Sequence, residues 1–594
     1  MNRNSKKGFT IVELIIVIAV IAVLAAVLIP TFSNLIQKAN EAKDTALVSN
    51  LNKAVAMDNG SKETVYDVLK VAEDIAGINV AKINAAANSN EILWDSANKC
   101  FVYSVNGTIK YIPDTKTKDV AGDYDYWKIS SNQEDVKANK YSIYWTGAAL
   151  SKITATTGFD AGEAEIGKII YQREDNATAQ TVTIRTNSAA TTLAIDSSKD
   201  TVKHYDAVGT VKVIAVDRTA SYHEFGTANT LIVNDGHIVV ENNATVENVI
   251  IEKAENAAVS LDNNGEIAAV AGVDNSVAIN GVSEENKIDT KTELTGDGGY
   301  VKLTSAQTVS SQHLFITKDT VLDLNGKTIT VENKLFIAIE ANVTIIDSSE
   351  EQSGTIKKDF LDGNALILVQ NGGKLTLNGG TLIAQGSYNT NASSYKQVID
   401  VKAESTLIVN GGTIYNKCST TGVNDYTGAG IAAWGTATVV INAGEIKSDH
   451  GFALAGNGGI GNGGTSIVVN GGILTGGEVA IYNPQYGSLI INGGTITAET
   501  CVYVKSGSLS INGGVFNAIG EKKAFAHSGG GCTSTGDCIV LESCNYPGGT
   551  PMAYVIKNAK MTSANGQLIV GYVYQNNAEI VITSDLKFEI FHVE

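Results

Sequence analysis

The sequence predicts a mostly β protein: a long N-terminal α-helix that crosses a membrane, a small α+β head, and a parallel β-helix. Three observations predict it. Residues 9–30, FTIVELIIVIAVIAVLAAVLIP, form an apolar run broken by a single acid. Three short strand-like runs follow between residues 92 and 112. Beyond residue 370 a segment built as an apolar strand ending in Asn-Gly-Gly recurs, and recurrence at a short interval marks a repeat architecture.

At roughly 1.5 Å per residue, the stretch from Phe9 to Ile29 is long enough to cross a bilayer core of about 30 Å. Arg3, Lys6 and Lys7 precede it and stay on the cytoplasmic side, so everything after Pro30 is delivered outside. Glu13 is the odd residue. A carboxylate inside an apolar span costs roughly 2.5–3.5 kcal/mol on insertion scales unless it finds a partner. An α-amino group at Phe9, freed by cleavage after Gly8, would stand one helical turn away, and pairing across to a neighbouring subunit would neutralise both charges. A conventional signal peptide cut near Ala25 or Ala26 fits less well, because a signal h-region spans about 7–15 residues and lacks an acid.

Lys-Lys-Gly-Phe-Thr-Ile-Val-Glu-Leu-Ile-Ile, residues 6–16, resembles the class III leader of type IV pilins and type II secretion pseudopilins. The resemblance implies a leader over residues 1–8, cut between Gly8 and Phe9 by prepilin peptidase, with N-methylation of Phe9 and Glu13 as the assembly acid. Its implied partners are that peptidase, the membrane, and other pilin subunits met through the N-terminal helix. The chain would sit in the cytoplasmic membrane as a single-pass protein before assembly and at the cell surface, in a pilus, afterwards.

The pilin helix is expected over 9–58, with the span at 9–30. Leu35, Ala39, Ala42, Ala46, Leu47, Leu51 and Val55 fall at helical spacings, and Asn59-Gly60 ends the helix. A pilin-like head is expected over 59–150. It holds a second helix from Glu63 to Ala76 and an antiparallel meander of Ile92–Trp94, Cys100–Val105 and Thr108–Ile112, the last two joined by Asn106-Gly107. An aromatic-rich strand pair, Tyr124–Ile129 and Tyr141–Trp145, follows.

Six segments then align, from LTLNGGTL to LSINGGVF, with Asn378, Asn410, Asn442, Asn470, Asn492 and Asn512 at intervals of 32, 32, 28, 22 and 20; LDLNGKTI around Asn325 reads as an earlier, weaker copy. Strands this short at this interval suit one repeat per coil of a parallel β-helix. Each Asn falls at one corner and can bond the amide above it, making a ladder. The pattern resembles the right-handed β-helix of secreted polysaccharide lyases and adhesins. The solenoid is expected over 165–525 as one rod of roughly 15 coils. Residues 526–594, including Gln567–Tyr574 and Glu579–Ile582, read as its C-terminal cap.

The longer intervals must leave the coils as loops, Gln385–Gln397 and Tyr415–Gly430. Their aromatics Tyr388, Tyr395, Tyr415 and Tyr426, with Trp434 close after, form a candidate patch for a glycan or a host or cell-surface ligand. The alternative is a lyase or glycosidase on the same coils, but the last Arg is Arg218 and no acidic cluster is visible. The expectation is therefore an adhesive subunit, minor or at a tip, with no catalytic residues, cofactor or metal. A membrane-anchored pseudopilin is the other reading. Net charge is −18, which argues against nucleic acid as a partner. Of the six Cys, residues 532, 538 and 544 cluster and invite a local disulfide.

Overall fold

A computed structural model describes residues 36–593, less 58–70, 76–89, 113–125, 131–141, 161–165, 173–178, 216–220, 389–395, 421–427, 459–462, 527–530, 544–551, 575–579 and segments of one to four residues. The chain divides into two units, Met1–Ala155 with Asp160–Ala164, and Thr156–Phe159 with Glu165–Glu594.

In the first unit a helix, α1, runs over 36–57 and three strands form a meander: β1 (Asn90–Asp95), β2 (Cys100–Val105) and β3 (Thr108–Tyr111). Both pairings are antiparallel, with Asp95 opposite Cys100 and Val105 opposite Thr108. β4 (Tyr126–Ser130) joins the free edge of β1, and β5 (Ser142–Thr146) and β6 (Ala148–Ile153) extend the sheet. The buried positions of α1 are Asp44, Val48, Leu51 and Ala54. Ala39, Ala42 and Ala46, expected on the apolar face, are exposed. The packed stripe is Asp44, Val48 and Leu51, at i, i+4 and i+7, and the three alanines fall on the opposite side of the helix. Of the second expected helix the description holds one π-helical turn, Val71–Ile75.

The second unit is built from parallel strands stacked coil upon coil. From Ile166 to Ile288 each coil has two sheets. Ile166–Gln172, Ser188–Asp196, Ala207–Ala215, Thr227–Val233, Thr245–Ile251 and Glu266–Ala271 lie in one; Thr181–Arg185, Thr201–Tyr205, Ser221–Glu224, Gly236–Val240 and Val259–Asn263 lie in the other. We call this the N-stack. From Thr290 the coils have three faces, and we call that part the C-stack. Lys374–Leu377, Thr406–Val409 and Thr438–Ile441 lie on its first face. Thr381–Tyr388, Thr413–Thr420 and Glu445–Ser448 lie on its second, and Lys396–Val401, Gly428–Ala433 and Phe452–Gly456 on its third. The interior is a continuous column of Leu, Ile and Val. Each such side chain, fully buried, is worth roughly 1.5–3 kcal/mol.

The first and second faces alternate buried and half-exposed residues, as in Thr438–Ile441 and Thr495–Ala498. The third is buried on both sides: every residue of Val479–Asn483, Thr500–Val504 and Ile539–Ser543 is covered. The cover is the chain's own excursion between Ala518 and Ile539, whose Phe525 and Cys532 pack on Tyr482, Tyr503 and Tyr572. Sheets covered on both faces lose the in–out alternation, and this one does.

Two expectations are corrected. The solenoid is not one rod. After Lys287–Ile288 the chain steps directly into Thr290–Lys291, which starts the C-stack. The C-stack packs across the N-stack: Ile232, Ile250 and Ala271 cluster with Tyr300, Val321 and Ile346. Glu252 meets Lys302, and Glu247, on the N-stack strand that leads to Glu252, meets Lys374 three coils further on, so the N-stack strands cross the C-stack strands. Nor are residues 526–594 a cap. Ile539–Ser543, Met552–Ile556, Lys560–Ser563, Ile569–Tyr574 and Ile580–Ser584 continue all three faces in register. The excursion hides the period, and the corner that follows Asn512 carries Lys557, whose N–H donates to Ile511 O as that of Asn512 does to Ile491 O.

Candidate functional site

Gly8, Phe9 and Glu13, with the apolar run 9–30, lie outside the described residues. Among the described residues no helix is long and apolar enough to cross a membrane. The description picks up α1 at residue 36, and what it shows is how the helix is locked to the meander. Asn52 is the bolt. Its amide donates to the carbonyls of Phe101 and Ile112, both at 2.8 Å, and accepts from the Phe101 N–H at 2.7 Å. One side chain thus ties the helix to the start of β2 and the end of β3. About two turns earlier, buried Asp44 accepts from the Tyr103 hydroxyl at 3.0 Å, and Asn90 donates to that hydroxyl at 2.8 Å. Burial, reinforced by Asp44 and opposed by Asn90, pushes the Tyr103 phenol up to about 12. Tyr103 therefore stays a neutral donor, matched to the carboxylate.

In the C-stack the asparagines meet. Asn410 donates to Asn378 at 3.0 Å, Asn442 to Asn410 at 2.7 Å, and Asn470, Asn492 and Asn512 each to the one before at 2.8 Å. The glycine two residues on has positive φ, +78° at Gly412 and +91° at Gly444, and a Cβ on Gly412 would stand 2.6 Å from the Gly380 carbonyl. The turn therefore demands glycine in every coil. Where φ is ordinary, Ala443 replaces the first glycine. Asn325 is not in the column: the register puts Asp323 below Ile346, and Ile346 below Asn378. The ladder's lower end turns outward instead, and Asn378 donates to Asn229 of the N-stack.

The binding residues separate. Thr381–Tyr388 and Thr413–Thr420 are strands, paired out to Tyr388 opposite Thr420. The extra residues of these coils thus begin as strand extensions, and the two excursions leave from the same corner, between second and third faces. Tyr388 ends one extension; Tyr395 and Tyr426 fall outside the described residues. Tyr415 lies on the second face, where its hydroxyl donates to Asp449 at 2.8 Å and Lys447 sits 4.7 Å over its ring. Trp434 lies at a different corner, where the third face passes to the first. Its Nε1–H donates to Asp400 at 3.1 Å, and Lys402 sits over its ring at 4.5 Å. Burial pushes the Asp400 carboxyl up, against the pull of Lys402 and Trp434. The structure places Tyr415 and Trp434 in two separate acid–lysine–aromatic clusters.

Sequence reasoning missed a buried polar knot in the N-stack. Thr186 Oγ1 lies 2.8 Å from His204 Nε2, and His204 Nδ1 lies 2.8 Å from Glu224. The connectivity is that of a nucleophile, base and acid. However, all three residues have no exposed surface, and the Thr186 hydroxyl donates to Ala207 O at 2.5 Å. No reactant can reach the hydroxyl, and its proton is committed elsewhere. The signal was present in coil-length spacing, since His204 and Glu224 stand 20 residues apart, but nothing repeated to advertise it. Among the described residues no group of three or more His, Cys, Asp or Glu is placed to hold a metal ion.

Residues 3–29 match the prokaryotic N-terminal methylation motif. The chain is 41% identical over 96 residues to the major component of the type IV wide pilus of Thermus thermophilus, covering 15% of this chain and 70% of that one. It is 31% identical over 83 residues to a fimbrial protein of Moraxella nonliquefaciens, covering 14% of this chain and 54% of that one. Both likenesses lie in the N-terminal part of the chain. No solved structure matches. A methylation motif, a relative aligned over most of its own length, and a helix bolted to an antiparallel meander agree: the chain belongs to the type IV pilin family.

Proposed function

We propose that this chain is a minor or tip subunit of a type IV-like filament that displays its stacked coils for adhesion or surface contact. Prepilin peptidase cuts between Gly8 and Phe9, Phe9 is methylated, and Glu13 pairs with a neighbouring subunit's new amino end. The observation that carries the reading is the methylation motif at residues 3–29, leading into a helix docked on a sheet and followed by a solenoid of more than 400 residues. A subunit this bulky would crowd a filament made only of copies of itself, which favours a minor or tip place. The proposed ligand-binding residues are Tyr388, which ends a strand extension opposite Thr420, with Tyr395 and Tyr426, aromatic residues of the kind that stack on sugar faces. The solenoid is read as binding, without chemistry; the inaccessible Thr186–His204–Glu224 knot supports that reading.

Filaments sheared from cells and probed for this chain test it, together with the mass of the mature amino end. The chain in the sheared fraction, beginning at methylated Phe9, is the expected result. A chain confined to membranes would instead make it an anchored pseudopilin. Tyr388→Ala with Tyr426→Ala should cut adhesion to the native surface about tenfold, as loss of aromatic anchors does. Unchanged adhesion would move the contact surface elsewhere.

A further inference from the structure

Cys501 and Cys538 occupy one position on consecutive coils. Val502 pairs with Ile539 in parallel register, which sets the two cysteines side by side. The N–H groups of Cys501 and Val502 both donate to the Cys538 carbonyl, at 3.0 and 3.1 Å. Both side chains are fully buried in the interior column, among residues such as Ile496, Val502 and Ile539. The Cys538 thiol is hydrogen-bonded to Cys501, and the Cys501 thiol donates to Ile496 O at 3.4 Å. Neighbouring strands lie about 4.8 Å apart. That falls inside the roughly 4.4–6.8 Å between Cα atoms that a disulfide bridges. Cys532 is nearer to Cys538 in sequence but lies on the other side of the third face, among Tyr482, Tyr503 and Val540. The strand between them keeps the two sulfurs apart.

We propose that Cys501 and Cys538 form a disulfide that clamps together the two coils between which the chain makes its long excursion over the third face. Each thiol gives up a proton and an electron, and one S–S bond forms. The two electrons and two protons reduce the disulfide of an exported thiol–disulfide oxidoreductase to its dithiol. The bond forms as the coil docks, before the sulfurs are enclosed. Afterwards, burial of both sulfurs in the interior column keeps attacking thiolates from reaching the bond. The clamp anchors the returning root of the segment that carries Phe525 and Cys532 to the coil before it, and so helps hold the cover on Tyr482, Tyr503 and Tyr572.

The oxidant makes this inference rest on the export reading, so two samples are compared. One is the full-length chain recovered from cell surfaces with free thiols blocked at lysis. The other is the full-length reduced chain, unfolded and refolded in detergent with oxidised glutathione. Peptide mapping without reductant should find the Cys501 and Cys538 peptides joined in both, about 2 Da lighter than their separate sum. Cys532→Ser should leave that linkage intact. Linkage on refolding but not in cells would uphold the pair and count against export. Refolded protein with both thiols alkylated, or with Cys538 joined to Cys532 or Cys544, would overturn the proposal.

Discussion

The N-stack and the C-stack bind coil to coil with different side-chain chemistry. In the C-stack one residue type repeats, and Asn378 to Asn512 form a single file of amides. In the N-stack the links are pairs of unlike residues, each about a coil apart: Arg185 with Asp206, His204 with Glu224, His223 with Glu241, His237 with Asp262. An amide carries both donor and acceptor, so identical residues satisfy each other and the file can grow without limit. A base and an acid satisfy each other once and stop. The first scheme gives a rod of any length; the second gives a short stack that needs a neighbour. The N-stack has that neighbour in the C-stack, against which it buries Ile232, Ile250 and Ala271.

The largest expected effects break a wholly buried polar knot in each stack. In the C-stack Lys505 and Glu542, both without exposed surface, stand 3.2 Å apart, and Tyr503 donates to Glu542 at 2.7 Å. Lys505→Met strands the carboxylate and should cost about 3–5 kcal/mol, while Lys505→Met with Glu542→Leu should recover most of that. Glu224→Leu in the N-stack should cost a similar amount. There no apolar partner substitution repairs it, because Glu224 also accepts from the Gly226 N–H and the Tyr222 hydroxyl, at 2.8 and 2.6 Å. Hydrogen exchange resolved to peptides from each stack separates the two losses. Equal recovery in both stacks would erase the distinction.

A middle-sized effect lies at the seam. Lys302 stands 2.5 Å from Glu252 and 3.9 Å from buried Asp323, and the Tyr300 hydroxyl lies 3.0 Å from each acid. Burial, opposed by hydrogen bonds from Ser348, pushes the Asp323 carboxyl up. The folded seam therefore holds that proton more tightly than the unfolded chain does. Stability is lowest above the raised value and rises as pH falls toward the ordinary carboxylate range. Lys302→Met should cost about 1–3 kcal/mol at neutral pH, discounted for partial exposure. The loss should shrink on acidification, read as N-stack exchange protection at neutral and mildly acidic pH. A defect that grew with acid would mean that Lys302 acts by packing, not by charge.

The same contrast explains what the sequence made legible. The amide file shows as a repeated word because one corner asks the same two things of every coil: a self-satisfying side chain, and a glycine where φ is positive. The head's meander shows because a two-residue Asn-Gly turn and short β-branched runs are local signals. The N-stack pairs show no repeated word, so its coils read only as degenerate strands. The packing of one stack across the other is invisible for a similar reason: Tyr300 and Lys302 find Glu252 across the fold, with no spacing to announce it. The coils beyond residue 539 were hidden by one long excursion, which also set Cys538 beside Cys501 and away from its sequence neighbour. Trp434 and Tyr415 are kept apart because the third-face strand Gly428–Ala433 runs between them.

The smallest effect tests the amide file itself. Asn442 is half-buried, donates to Asn410 at 2.7 Å and accepts from Asn470 at 2.8 Å. Asn442→Ala removes both bonds, but Asn470 is exposed and its freed amide goes to water, so only the Asn410 side loses without compensation. The expected cost is about 1–2 kcal/mol, a small fraction of what the interior column supplies. Asn442→Asp should cost more than Asn442→Ala. An aspartate can still accept from Asn470, but it has no N–H for Asn410 and sets two oxygens face to face. That order separates a file held by donor–acceptor alternation from a column of merely tolerated polar residues, for which the alanine variant would be the worse of the two. Urea unfolding of the two variants side by side reads the order directly. If alanine proved neutral and aspartate mild, glycine geometry at the turn, and not the amides, would be what holds the corner in register.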